Sequence, residues 1–340
     1  MSSVKLDRVL IVMMSAIGDA VHTLPVVNAI KRHHPRAHLT WILQPGPAEF
    51  VRGHPGVDEI IVFQRAKKLR GFLEIFPELR KRRYDVVINL QVYLKGGIMT
   101  LFSRAPVKVG FDRSRARDLN WLFTSHRIPK HAQQHVQDQY LEFLDWLEIP
   151  SQPLEWNVGP WDSERAWQRE FMSQFDRPIA PIIIATSKPG KDWMADRWAT
   201  VCNHLYTDFG LQPILVGGRS PRELAAEQVI TAQAKVPVVS ALGSGLRKLV
   251  SILDAGAVTL SPDTGPLHMA VAMNKPVISL MGSTNPKRVG PYRRFHDLMI
   301  DRYGDPGEDY PIAMVFRKGR MERITVEDVL GKLQIWKSKY

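Results

Sequence analysis

The sequence predicts an α/β protein made of two Rossmann-like, doubly wound parallel-sheet domains facing a cleft. Three observations predict it. Short apolar runs alternate with helical stretches, the pattern of βαβ units. The alternation stops in a Pro- and Trp-rich linker at 150–160 and then begins again. Polar and glycine-containing clusters stand directly after the strands, where open α/β sheets bind their ligands. A length of 340 residues suits two domains of ordinary size.

The elements follow in order. Residues 8–14 (RVLIVMM) are apolar on both faces, as a central parallel strand should be. A turn at 15–19 leads into a helix, with Thr23 as its N-cap, Pro25 in its first turn and a stop before Pro35. Further strands are expected at 39–43, 57–63, 85–90 and 107–111. After the linker they recur at 182–186, 214–218, 236–239, 257–261 and 277–281. Val326, Val329, Leu330, Leu333 and Trp336 have helical spacing.

Composition narrows the classes. Apolar content of 44% and charged content of 24% describe a globular chain. A single cysteine, Cys202, makes no internal disulfide, and the expected location is the cytoplasm. No apolar run reaches the roughly 20 residues of a membrane helix, and the short apolar stretch near the start reads as a strand, not a signal peptide. Net charge is +12, and the segment from Arg65 to Arg117 holds fourteen Lys/Arg against four Asp/Glu. Such a field recruits polyanions: nucleic acid, anionic lipid or a phosphorylated substrate. A solvated basic face is the plainer alternative.

Four loops could carry chemistry. In Ser15-Ala16-Ile17-Gly18-Asp19, Gly18 permits a tight turn and Asp19 is either a general base or a helix cap. In Asp263-Thr264-Gly265-Pro266-Leu267-His268, the amides at a helix start suit a phosphate, and His268 lies one turn on. Thr186-Ser187-Lys188-Pro189-Gly190-Lys191 offers two hydroxyls and two ammonium groups to a diphosphate. After Gly217-Gly218, Glu223 is either a ribose-binding acid or a first-turn helix acid. No Walker loop, no G-x-G-x-x-G after the first strand and no G-x-S-x-G is present. His131 and His135 are spaced i, i+4, but no acidic or Cys partner supports a metal there.

In these loops the sequence resembles glycosyltransferase family 9, the lipopolysaccharide heptosyltransferases. The resemblance rests on 15–19 with His22-Thr23-Leu24-Pro25, on Ser261–His268 continuing through Lys275-Pro276-Val277 to Gly282–Pro286, and on Tyr84–Gln91. It implies a GT-B fold: an acceptor-binding domain at 1–155, a nucleotide-sugar domain at 156–324, and a final helix, 325–340, packing back on the first. It also implies inverting, metal-independent transfer of heptose from ADP-heptose to the Kdo inner core of lipopolysaccharide, with no cofactor. By match to the family motifs, Asp19 is the base, and Thr186, Ser187, Lys191, Asp263, Thr264, Gly265 and His268 hold the donor. Glu223 matches the ribose acid, at a turn length that varies.

Asn89, where the family often has Asp, and Met194, where Pro is common, are departures. The Ser-Thr-Asn-Pro and Gly290-Pro291-Tyr292 wording is similar to an OpsX-like branch. Gly18, Arg113, Arg115 and Arg117 are the acceptor candidates, because the three arginines follow the fifth strand. The basic segment then has a purpose: an anionic Kdo-lipid A type glycolipid, met at the inner face of the inner membrane by a peripherally bound enzyme, with no nucleic acid involved. A sugar-nucleotide epimerase of the same fold and a basic nucleic-acid-binding protein are the alternatives.

Overall fold

The computed structural model describes residues 4–340. The chain divides into two compact units, 1–157 and 158–340. The first contains β1 (Arg8–Val12), β2 (His38–Leu43), β3 (Glu59–Val62), β4 (Val86–Asn89), β5 (Val107–Gly110) and β6 (His126–Arg127). Their order is β3-β2-β1-β4-β5-β6, and every pairing is parallel. The second contains β7 (Ile179–Ile183), β8 (Gln212–Val216), β9 (Val239–Ser240), β10 (Thr259–Pro262), β11 (Val277–Met281) and β12 (Met299–Asp301). Their order is β12-β11-β10-β7-β8-β9, again all parallel. Read from its first strand, each sheet has the doubly wound order 3-2-1-4-5-6. Each therefore has a switch point, between β1 and β4 in one and between β7 and β10 in the other, where strand order reverses and ligands bind.

β1 and β4 are buried along nearly their whole length, which is why they read as unbroken apolar runs. The short edge strands β6 and β12 were not expected. Two or three residues with exposed ends carry too little apolar pattern to stand out. β7 begins three residues before its expected start and includes Pro181. A proline without an N–H reads as an edge residue. Here the ladder to β10 is registered at Ile182, just beyond it.

The helix after β1 is a correction. It runs Ile17–His33, so Thr23 and Pro25 are buried in its interior and do not cap it. The Ala16 N–H at its start is taken by the Asp19 carboxylate at 2.7 Å. Thr23 instead donates its hydroxyl to the Asp19 carbonyl at 2.8 Å. Gly18 lies in the first helical turn and not in a tight turn.

The final helix, Val326–Lys339, is capped by Thr325 and buries Val329 and Leu333. It packs on β11, β12 and the helix Ala195–Thr207 of the second unit. Its return to the first unit stays a proposal. Among the described residues no helix is long and apolar enough to cross a membrane.

Candidate active site

In the first unit, the carboxyl edge at the β1/β4 switch point is tied by side chains from β4. Asn89, the last residue of β4, is fully buried and donates to Asn120 at 3.0 Å. Its Oδ1 accepts from the Gln91 N–H at 3.2 Å. Gln91 reaches across to the exit of β1: its Oε1 accepts from the Met14 N–H at 3.0 Å, and its Nε2 donates to the Ser15 carbonyl at 3.3 Å. The loop that precedes Asp19 is thus held in place from the neighbouring strand.

Asp19 is half-buried in the first turn of the Ile17–His33 helix. Its two oxygens have different partners. Oδ2 takes the Ala16 N–H, which is the capping role. Oδ1 accepts from the Tyr140 hydroxyl at 3.1 Å. Tyr140 lies on the helix Val136–Trp146, which packs along the Ile17–His33 helix. The two helices are stitched further by Gln137, which donates to the His22 carbonyl at 2.8 Å and meets its Nδ1 at 3.1 Å. His135 caps its own helix by accepting from the Gln137 N–H. So the cap and base readings of Asp19 are compatible, because one oxygen fixes the carboxylate while the other carries a lone-pair direction that Tyr140 marks. Tyr140, Gln91 and Gln137 were missed from sequence, since contacts 76–121 residues apart leave no local signal.

Of the expected acceptor arginines, Arg115 is a correction. Its side chain is 2% exposed and lies between Asp112 and Glu142. It grips Glu142 with both terminal nitrogens, at 2.7 and 2.6 Å, and Nη2 also donates to the Pro129 carbonyl. Its donors are committed to holding the loop after β5 against the Val136–Trp146 helix, so it does not present them to a ligand. Arg113 and Arg117 are exposed. Arg113 lies over the Trp121 ring at 4.2 Å.

In the second unit, the β7/β10 switch point carries a charged cluster. Lys191 donates to Asp263 Oδ2 at 2.6 Å and to its carbonyl at 3.2 Å. His268 Nε2 is 3.6 Å from Asp263 Oδ1. Burial pushes the Asp263 carboxyl up, but His268 and Lys191 beside it more than reverse this and hold it well below the usual carboxylate range. The helix Gly265–Ala272 starts here, with Thr264 at its N-cap and Pro266 in its first turn. The Gly265 and Leu267 amides have no partner within the helix, as at any helix start. The buried Thr264 hydroxyl has no hydrogen-bond partner among the described residues. The helix-start amides, with the Lys191 ammonium held on Asp263 just before them, would stabilise an anion.

The remaining donor candidates divide. Thr186 is buried and its hydroxyl closes its own loop, bonding the Lys188 carbonyl at 2.8 Å. Its N–H donates to Asp192 and its carbonyl accepts from Arg222 at 2.7 Å. Asp192 is paired with Arg222, yet burial keeps its carboxyl above the ordinary value. Ser187 is exposed. Trp193 and Trp198 stack edge to face at 4.6 Å, and Trp193 donates to the Ile324 carbonyl, so they brace the Lys191 loop from beneath. Glu223 takes the Gly218 and Ser220 N–H groups at 2.6 and 2.8 Å. A Cβ on Gly218 would lie 2.9 Å from that carboxylate, which would have to shift to admit it. Glu223 thus has the first-turn capping role, and any ribose contact would be additional. Among the described residues no three His, Cys, Asp or Glu side chains are grouped to hold a metal ion.

The chain is 27% identical over 333 residues to the lipopolysaccharide core heptosyltransferase OpsX of Haemophilus influenzae, covering 95% of each chain. Its structure resembles the glycosyl transferase family 9 protein of Veillonella parvula, with a TM-score of 0.83 at 20% identity over 99% of this chain and 98% of that one. It also resembles the E. coli heptosyltransferase WaaC solved with ADP, with a TM-score of 0.71 at 23% identity over 98% of both chains. These likenesses establish the GT-B fold. The model of glycosyltransferase family 9 (heptosyltransferase) matches residues 72–303, which reach into both units and include β4 and the whole β7/β10 switch point, and the chain belongs to that family.

Proposed function

We propose that this chain transfers heptose from ADP-heptose to a Kdo-containing inner-core acceptor of lipopolysaccharide, with inversion and without a catalytic metal. The observation that carries the reading is the OpsX match along 95% of both chains, with Asp19 at one switch point and the Lys191–Asp263–His268 cluster at the other.

An inverting transfer needs a base for the acceptor hydroxyl and stabilisation of the departing diphosphate. Asp19 takes the proton through Oδ1, with Tyr140 orienting it. Lys191 and the Thr264–Gly265 helix start receive the diphosphate as preorganised charge and dipole. Asp263 holds Lys191 ready before the donor arrives. Ser187, Thr186 and Glu223 line the donor side, and Arg113, Arg117 and Gly18 the acceptor side. The enzyme works at the cytoplasmic face of the inner membrane, attached peripherally, and the final helix returns to the acceptor-binding unit.

The epimerase reading shares the phosphate loops but needs no acceptor, and the family match does not favour it. The test is an assay with ADP-heptose and Kdo-lipid A, phosphorylated and not. Heptosylated product with release of ADP is expected. ADP-heptose consumed without acceptor, or isomerised, would sink the reading.

A further inference from the structure

Among the described residues, fourteen large apolar side chains are exposed, and eight of them fall between Val62 and Leu122. That is almost the same segment that holds most of the net positive charge. Single exposed leucines are ordinary, but apolar side chains gathered inside a basic rim mark a binding surface.

The local packing gathers them. Leu94 and Leu101 are seven residues apart on the helix Leu94–Phe102, hence on one stripe, and are 41% and 52% exposed. The short 3-10 turn Asn120–Phe123 packs on this helix, with the Phe123 ring so close to Gly97 that a Cβ there would lie 2.4 Å from it. That turn carries Leu119 and Leu122, 59% and 54% exposed. On the other side, the helix Leu69–Lys81 is joined through Phe76 stacked on Phe102, ring centres 3.6 Å apart. Arg113 and Arg127 both lie over Trp121, in the same turn, at 4.2 and 5.4 Å. Lys95 follows Leu94 on its helix, and the exposed Arg117 donates its N–H to the Val92 carbonyl just before that helix. The helix follows β4, and Asn120 at the start of the turn is bonded to Asn89, the last residue of β4, and to the Tyr93 carbonyl, so Leu94 and Leu119 lie at the same carboxyl edge of the sheet as Asp19.

We propose that this face inserts its leucines into a bilayer of anionic phospholipid, with the arginines and lysines at head-group level. Leucines lower into the acyl boundary while basic side chains reach out to phosphate, the arrangement of interfacial helices. A second copy of this chain is a poor occupant, because a self-complementary contact would set like charges against each other. The inference rests on the proposed glycolipid acceptor, since it gives the face a reason to lie beside Asp19.

The experiment uses the full chain and two readouts. Sedimentation is measured with vesicles of phosphatidylcholine alone, and of phosphatidylcholine with about one-third phosphatidylglycerol, at low and at about 0.5 M salt. Transfer is measured in parallel on an acyl-free, water-soluble Kdo acceptor. Binding to the anionic vesicles is expected, much less to phosphatidylcholine, with part of it surviving high salt. The double variant Leu119→Ser/Leu122→Ser should lose about 100-fold in partition, near tenfold per leucine, and keep its soluble-acceptor activity and melting temperature.

Unchanged vesicle binding by that variant overturns the proposal, as does wild-type protein that stays in the supernatant. Binding abolished by salt in wild type reduces it to a surface-charge effect and also overturns insertion. Self-association lost in the double variant would assign the face to a second copy instead. Absence of transfer to the soluble acceptor would count against the proposed reaction and leave the vesicle result to decide the surface.

Discussion

The two sheets share one strand order, and each sets an aspartate at its switch point, but the two aspartates differ in exposure and in how they are held. Asp19 is half-buried, with one oxygen on the Ala16 amide and the other on the Tyr140 hydroxyl. Asp263 is buried against an ammonium group and lies beside an imidazole. A half-buried carboxylate in the first turn of a helix still lies within reach of an incoming hydroxyl. One tied to a lysine has its charge spent, and its use is to hold that lysine. The neighbours, not the residue type or the strand position, decide which aspartate can act as a base. The same contrast holds among the arginines after β5: Arg115 is spent on Asp112 and Glu142, whereas Arg113 and Arg117 face outward.

The largest effect is expected for Asp19→Asn. The amide oxygen can still accept from Ala16, so the cap survives, but the base is gone. Transfer should fall by ~10²–10⁴-fold with donor binding retained, read by steady-state kinetics and calorimetric titration of ADP. Near-normal turnover would leave Asp19 as a cap alone.

Arg115→Ala should cost about 3–5 kcal/mol of stability, because Asp112 and Glu142 lose the guanidinium between them. Arg113→Ala should cost less than about 0.5 kcal/mol. Urea unfolding of both variants checks the contrast, and equal effects would erase it.

Lys191→Ala should weaken ADP by about 1.5–3 kcal/mol, or roughly 10–150-fold, with the acceptor constant unmoved. A change confined to kcat would contradict the donor role.

The folded-state value of Asp263 lies below its unfolded value, so its contribution to stability is present above about pH 4. It is lost as pH falls through the depressed folded value. Melting temperature followed from pH 7 to 3 should therefore drop below pH 4, and Asp263→Asn should flatten part of that slope. An unaltered slope would remove Asp263 from the account.

The smallest effect is expected for Tyr140→Phe, which deletes one hydrogen bond to Asp19 worth about 0.5–1.5 kcal/mol. A several-fold lower kcat with unchanged donor constant would sharpen Tyr140 as a positioning residue. A change in stability alone would make it a packing residue.

Much of the fold was legible because parallel strands buried on both faces leave continuous apolar runs, as in β1, β4 and β11. The edge strands β6 and β12 were not, being too short for a pattern. The start of the Ile17–His33 helix was misplaced because Thr23 and Pro25 carry start signals that tertiary packing overrode. At the site, Asp19, Lys191 and Asp263 stood out because each follows a strand. Arg115 did not separate from Arg113 and Arg117, since its partner Glu142 is 27 residues away.

By itself the sequence determined the repeated βα rhythm, the two halves, the loops that carry charge and the concentration of basic residues after Arg65. These are local properties, written in periodicity and composition. Only the tertiary structure decided which charges are spent and which are exposed. It paired Asp263 with Lys191, buried Arg115, turned Tyr140 onto Asp19 and left Leu119 and Leu122 in solvent. A side chain's ionisation and reach depend on what the fold brings beside it, and those neighbours come from distant parts of the chain.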